Sequence, residues 1–323
     1  MHKLLGLMLL ISVACVAPDA PVHPGDDEEF VLEVPPGSTA IGLGPTLVDH
    51  ALVPSALKWK LFLRSADGSC LKAGKFAVRR SMSMRELLET LCGAPLPDDV
   101  PFTVVEGWRI RDIDEALASE GYIEAGAYAR VAEAKAVELP FEVSSPTLEG
   151  YLYPETYMVS PALFTPERLI VRQLETFEER FLSRHADEVG DRGLHAVVVM
   201  ASMLEREEPN PAKRPLVAGI LYKRLDNGWQ LGVDATSRYD LDDWNDRSGF
   251  LRNLRDERHP YNTRVHKGLP PTAIGNPSVS SLEAALAPEA SPYWFYLHDS
   301  QGVLHPSRNG DEHDRLRARY GAY

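Results

Sequence analysis

The chain has 323 residues, 44% of them hydrophobic and 25% charged, which is enough for one large core or two smaller ones and excludes disorder throughout. A formal net charge of −13 argues against a nucleic-acid binder, because neutralising phosphates needs clustered Lys and Arg. Acidity alone identifies no partner.

Met1-His2-Lys3 is a short positive start, and Leu4 to Val13 is apolar or small apart from Ser12. That run falls short of the ~20 residues of a membrane-spanning helix and fits a secretory signal. It ends in Ser12-Val13-Ala14-Cys15, which resembles a bacterial lipobox. Residues 1–15 then form a lipoprotein-like signal peptide with Cys15 as the lipid attachment point. An ordinary cleaved signal or a short uncleaved anchor is the alternative. Residues 16–28, rich in Pro, Asp and Ala, read as a tether between membrane and body.

Glu29–Val34 alternates as a strand. A Pro-Pro-Gly turn leads into a short helix around Ile41–Leu52, and Leu71–Val78 reads as a second strand. Ser83 caps a helix over Met84–Cys92 that Gly93 ends. Residues 29–97 are thus a small αβ unit. Cys70 and Cys92 both fall in it: in an exported chain they either bridge or remain two buried thiols. No cysteine pair has metal-ligand spacing.

The second part, residues 98–323, opens with a strand over Phe102–Trp108 that ends in a Gly turn. Helices follow over Ile110–Glu120, 127–138 and 167–188. The Leu194–Glu208 segment has almost no polar stripe until its end, so most of its circumference is expected to be buried. Pro215–Asn227 is another helix, stopped by Gly228. Loops rich in Pro and Gly precede a helix over Ser280–Ala287 and a strand over Tyr293–Leu297. The mixture predicts an α+β fold rather than a regular βαβ series.

Chemistry concentrates where the apolar helix ends, in Glu205-Arg206-Glu207-Glu208. Carboxylates at a helix C-terminus are locally unfavourable. Partial burial and like-charged neighbours favour the protonated form of a Glu there, as a general acid requires. From spacing alone, a solvated helix end is the simpler account.

The surrounding blocks change that balance. Glu149-Gly150-Tyr151-Leu152-Tyr153-Pro154-Glu155-Thr156-Tyr157, Ala201-Ser202-Met203-Leu204-Glu205-Arg206-Glu207 and Val217-Ala218-Gly219-Ile220-Leu221-Tyr222-Lys223-Arg224-Leu225 follow one another in order. Leu231-Gly232-Val233-Asp234-Ala235-Thr236, Tyr261-Asn262-Thr263 and Gly268-Leu269-Pro270-Pro271 through Asn276-Pro277 complete the set. Together these resemble the YceG-like family of lytic transglycosylases over roughly residues 100–315. The 29–97 unit is similar to that family's small LysM-like subdomain. Lys223, Gly232 and Ala235 depart from the family pattern and leave details of binding open.

The resemblance implies a larger α+β catalytic domain behind the LysM-like subdomain. It also implies endolytic cleavage of the MurNAc–GlcNAc β-1,4 bond of peptidoglycan, leaving 1,6-anhydro ends and terminating new strands. The first Glu of the block, Glu205, is the implied catalytic acid/base. No metal or cofactor is implied, and the setting is the cell envelope, membrane-anchored and facing the periplasm or exterior, with peptidoglycan synthases as partners. Supporting residues come with structural alternatives. Glu149 binds sugar or fixes a loop. Asp234 stabilises charge at the anomeric carbon or caps the Thr236 segment. Gln230 and Asn262 hydrogen-bond the sugar or serve as loop amides. Tyr151, Tyr153, Tyr157 and Tyr261 stack on sugars or fill the core, and His313 is expected to make a structural hydrogen bond. Three rivals stand beside this: a two-carboxylate glycoside hydrolase, a noncatalytic peptidoglycan-binding lipoprotein, and a metallohydrolase. The last is disfavoured because there is no HExxH and because His298, His305 and His313 are widely spaced on segments that do not read as helical.

Overall fold

A computed structural model of the protein describes residues 20–321. The signal peptide assigned to residues 1–15, with Cys15, lies outside the described residues, as does the start of the tether. The fold is mixed α+β, in two compact units.

One unit comprises the residues up to Asp99 together with Ser160–Leu163. Strand β1 (Phe30–Val34) pairs antiparallel with β2 (Gly74–Val78), Phe30 opposite Val78 and Val34 opposite Gly74. The two-residue period of the strands turns Leu32, Val34, Phe76 and Val78 to one buried face. Three helices cover that face: α1 (Gly44–Asp49), α2 (Ala56–Phe62) and α3 (Met84–Cys92), contributing Leu47, Trp59, Leu87 and Leu91. Helix α1 is shorter than its pattern suggests, and Ile41 is left exposed. Helix α2 was not expected; Ser55 caps it, and its Trp59 donates to the Ala40 carbonyl at 2.6 Å from full burial. Ser83 and Glu86 form a capping box on α3. At the end of α3, Cys92 is joined to Cys70 by a disulfide.

The other unit holds Val100–Val159 and Phe164–Tyr323. Strand β3 (Val100–Thr103) pairs antiparallel with β4 (Thr156–Val159), with α4 (Ile110–Ser119) and α5 (Ala127–Ala134) between them in sequence. The segment expected as one helix over 167–188 is interrupted. Helix α6 (Pro166–Phe177) passes through a π turn at Glu178–Leu182 into α7 (Ser183–Val189). The wider turn keeps both Phe177 and Phe181 in the core, their rings 5.6 Å apart.

Helix α8 (Leu194–Glu207) runs through the centre, and its residues Val197 to Leu204 are all buried, as the missing polar stripe predicts. It packs against α9 (Arg214–Asp226) and α11 (Val279–Leu286), with α10 (Arg247–Arg255) lying between those two in sequence. A closing hairpin of β5 (Phe295–His298) and β6 (Leu304–Ser307) is covered by α12 (Gly310–Tyr320). Helix α10 occupies a stretch read as loop, and α12 places His313 on a helix where its segment was expected to be non-helical; α12 buries no residue, so no apolar stripe announces it.

Candidate active site

Helix α8 delivers its terminal carboxylates to different surroundings. Residues two apart on an α-helix lie ~200° apart around its axis, so Glu205 and Glu207 leave opposite sides of the last turn. Glu205 faces α9 and the start of α11. Its side chain is 7% exposed and pairs with the 5% exposed side chain of Arg214 at 2.9 Å. The second Glu205 oxygen accepts from Arg214 at 3.3 Å, from the Ser278 backbone at 2.9 Å and from the Ser278 hydroxyl at 2.5 Å. Arg214 also donates to Ser280 and to the Glu208 carbonyl. These hydrogen bonds tie the end of α8 to the two helices beside it.

Glu207 lines a polar cavity of about 510 Å³, together with Asp234, Arg224, Arg264, Tyr296 and His298. Burial pushes its carboxyl above the usual range. The Tyr296 hydroxyl, donating at 3.0 Å, pulls the other way, and the charge of Asp234 adds to the rise. Asp234, on the same wall, is held by Arg264 through two bonds of 2.6 and 3.0 Å. Glu208, buried behind the wall, pairs with the lining residue His298 at 3.1 Å and accepts from the Asn210 backbone at 2.8 Å.

Glu106, which the sequence did not bring forward, carries a carboxyl raised by burial and by the charge of Glu205. It belongs to the Gly turn after β3, where Arg206 donates to the Gly107 carbonyl. Only its place beside that turn marked it in the sequence.

The other expected residues are scattered. Glu149 is buried at the start of α4, accepting from the Ile110 backbone at 3.2 Å and from Tyr239 at 3.0 Å. Burial raises its carboxyl to about 8. This is the loop-fixing alternative in structural form, since a helix N-terminus offers donors to an acidic group. Gly150 next to it has φ 93°, and a Cβ there would lie 2.5 Å from Ala273 and 2.6 Å from Val198, so only glycine fits. Asn262 is fully buried, donating to the carbonyls of Asn253, Leu254 and Asp256 as a loop amide. Tyr151, Tyr153 and Tyr157 are buried in the core, and Tyr157 donates to the Tyr153 carbonyl. Tyr261, half-buried, donates to or accepts from Thr272. Gln230 is exposed and bridges to Lys267. His313 contacts the Ser307 hydroxyl at 3.3 Å and lines the cavity. Among the described residues no cluster of His, Cys, Asp and Glu is arranged to hold a metal ion. Of the expected set, Asp234 and His313 line the cavity with Glu207.

Known proteins match this arrangement along most of the chain. The model of the YceG-like family matches residues 32–319. The endolytic murein transglycosylase of Bacillus subtilis (strain 168) is 25% identical over 317 residues, covering 93% of this chain and 87% of that protein. An endolytic murein transglycosylase of Streptococcus pneumoniae (serotype 2) is 24% identical over 326 residues and 91% of this chain, which spans 59% of that protein's length. The crystal structure of a yceG-like protein from Listeria monocytogenes superposes with a TM-score of 0.59 at 25% identity, covering 90% of this chain and 99% of that one.

Proposed function

Since the chain belongs to the YceG-like family, we propose that it is an enzyme that cuts peptidoglycan glycan strands as an endolytic lytic transglycosylase, with Glu205 as its acid/base. The observation that carries this is the Glu205 carboxyl at the end of the central helix, its side chain 7% exposed and held in one orientation by Arg214 and Ser278. One carboxyl group at a fixed position is what proton transfer to and from a single glycosidic centre requires.

In this mechanism Glu205 gives its proton to the glycosidic oxygen, and the bond from that oxygen to the muramyl anomeric carbon breaks. Asp234 supplies negative charge opposite the positive charge that develops there. The muramyl C6 hydroxyl then closes on the anomeric carbon and returns a proton to Glu205. No water is consumed, and a 1,6-anhydro end results. Internal cuts of this kind terminate growing strands.

The remaining parts follow the same proposal. Residues 29–97 act as a LysM-like glycan-binding subdomain and residues 98–323 as the catalytic domain. The enzyme sits in the cell envelope, released from the signal peptide at residues 1–15, held by lipid on Cys15 through the tether of residues 16–28, and working beside peptidoglycan synthases.

A second reading has one observation behind it: Glu207 and Asp234 line the same cavity, as the two carboxyl groups of a hydrolase would. Digestion of purified peptidoglycan, read by mass spectrometry, separates the two. Anhydro ends lighter by one water support the transglycosylase; reducing ends alone support hydrolysis.

A further inference from the structure

Glu205 is well supplied with donors. Arg214 and Ser278 give its two oxygens four hydrogen bonds. A carboxyl so held keeps one position for proton transfer, but it has little capacity left to grip a sugar. The turn that follows β3 lies directly against it. Gly107 in that turn has φ 78°, and a Cβ there would stand 3.6 Å from the Glu205 Cγ and 3.4 Å from the Arg206 guanidinium. Glycine therefore permits both the left-handed turn and its close approach to the end of α8.

The turn is fixed from both neighbouring segments. The Gly107 amide donates to the Asn276 carbonyl at 2.7 Å, and the Asn276 amide donates to the Trp108 carbonyl at 2.8 Å. From α8, Arg206 donates to the Gly107 carbonyl. The residue this fixed backbone presents is Glu106. It is exposed, and among the described residues its carboxyl makes no hydrogen bond or ion pair. The charges it senses are those of the site itself. Partial burial and the charge of Glu205 raise its carboxyl, against the pull of Arg214. Its own charge reaches Tyr153.

At neutral pH a carboxyl raised in this way costs the fold stability, and Glu106 receives no bond in return. Perturbed acids of this kind concentrate at functional sites. A carboxylate with open lone pairs is also a strong acceptor for hydroxyl groups, which a pyranose carries around its rim. We propose that Glu106 is a substrate-contacting residue of the Glu205 centre: its unoccupied carboxylate accepts a hydrogen bond from a hydroxyl of the sugar whose glycosidic bond Glu205 protonates. The two carboxyl groups then divide the work. Glu205, tied down by Arg214 and Ser278, moves the proton; Glu106, on a rigid turn beside it, holds the sugar in place. This contact presupposes Glu205 as the cleaving carboxyl.

The test digests purified peptidoglycan, over a range of concentrations, with the full chain and with its Glu106→Ala and Glu106→Gln variants. Initial rates of anhydro-end release are read by mass spectrometry, and Tm is measured for each variant. Glu106→Ala lowers kcat/KM roughly 10- to 100-fold, the loss of one hydrogen bond to a charged group, with a Tm no lower than the parent's. Glu106→Gln keeps an acceptor oxygen and recovers part of the loss. Parental kinetics in Glu106→Ala overturn the contact and make Glu106 a solvated turn residue, leaving the role of Glu205 untouched. Kinetic losses that come with a lowered Tm in both variants also overturn it, the side chain then serving only to support the turn. Absence of anhydro ends from the unmodified chain removes the reading of Glu205, and the contact with it.

Discussion

Replacing Arg214 by Ala strips the Glu205 carboxylate of the ion-pair partner that holds it in the central helix packing. Both side chains are nearly inaccessible, at 5% and 7% exposure, so water cannot take over. Arg214 also holds Ser278, Ser280 and the Glu208 carbonyl. Breaking a buried pair from one side typically costs about 3–5 kcal/mol, because an uncompensated charge remains. In a domain of this size that lowers Tm by about 6–15 °C. Glu205→Gln alone costs a comparable amount through the stranded guanidinium. The double variant Glu205→Gln/Arg214→Met removes both charges and loses clearly less than the sum of the singles. Thermal unfolding of the three variants measures this directly. Single substitutions that shift Tm by under about 2 °C, or a strictly additive double variant, would refute the anchoring role of Glu205.

Two further outcomes follow from the same structure. Glu149 keeps its proton up to about 8 when folded, against 4.5 for the ordinary group. The folded state therefore binds more protons than the unfolded one between those values. Its contribution to stability declines as pH rises across that window, by at most on the order of 4 kcal/mol; Glu149→Gln should flatten the fall of Tm with pH, and identical slopes would show that this group does not set it. The Cys70–Cys92 bridge closes a segment with a sequence separation of 22 residues, worth about 3 kcal/mol of loop entropy. Reduction should lower the melting of the N-terminal unit, and an unchanged melt would show that the bridge contributes nothing.

Much of the framework was legible from local pattern. The unbroken apolar run of α8 marks a helix buried all round, and Ser83 with Glu86 marks the start of α3. Glycine at position 150 is explained by a positive φ and by side chains that leave no room for a Cβ. Elements held by tertiary contact rather than by their own periodicity were harder. Helix α12 is mostly polar and buries no residue, and α6 runs into α7 through a π turn that no helical repeat announces. The division of labour between Glu205 and Glu207 was least legible. It depends on Arg214 and Ser278, nine and 73 residues away in sequence, and on which side of one helical turn meets the cavity. Asn262 and Tyr157 look like ligand-binding types, yet backbone carbonyls absorb their donors. Residue type alone does not distinguish a sugar partner from a loop amide.

The central claim is that proton transfer to the glycosidic oxygen belongs to Glu205. Digestion of purified peptidoglycan by the full chain, by Glu205→Gln and by Glu207→Gln, with products read by mass spectrometry, tests it most directly. The account predicts anhydro-ended products from the unmodified chain and from Glu207→Gln, and none from folded Glu205→Gln. Undiminished cleavage by Glu205→Gln, or complete loss confined to a fully folded Glu207→Gln, would contradict it.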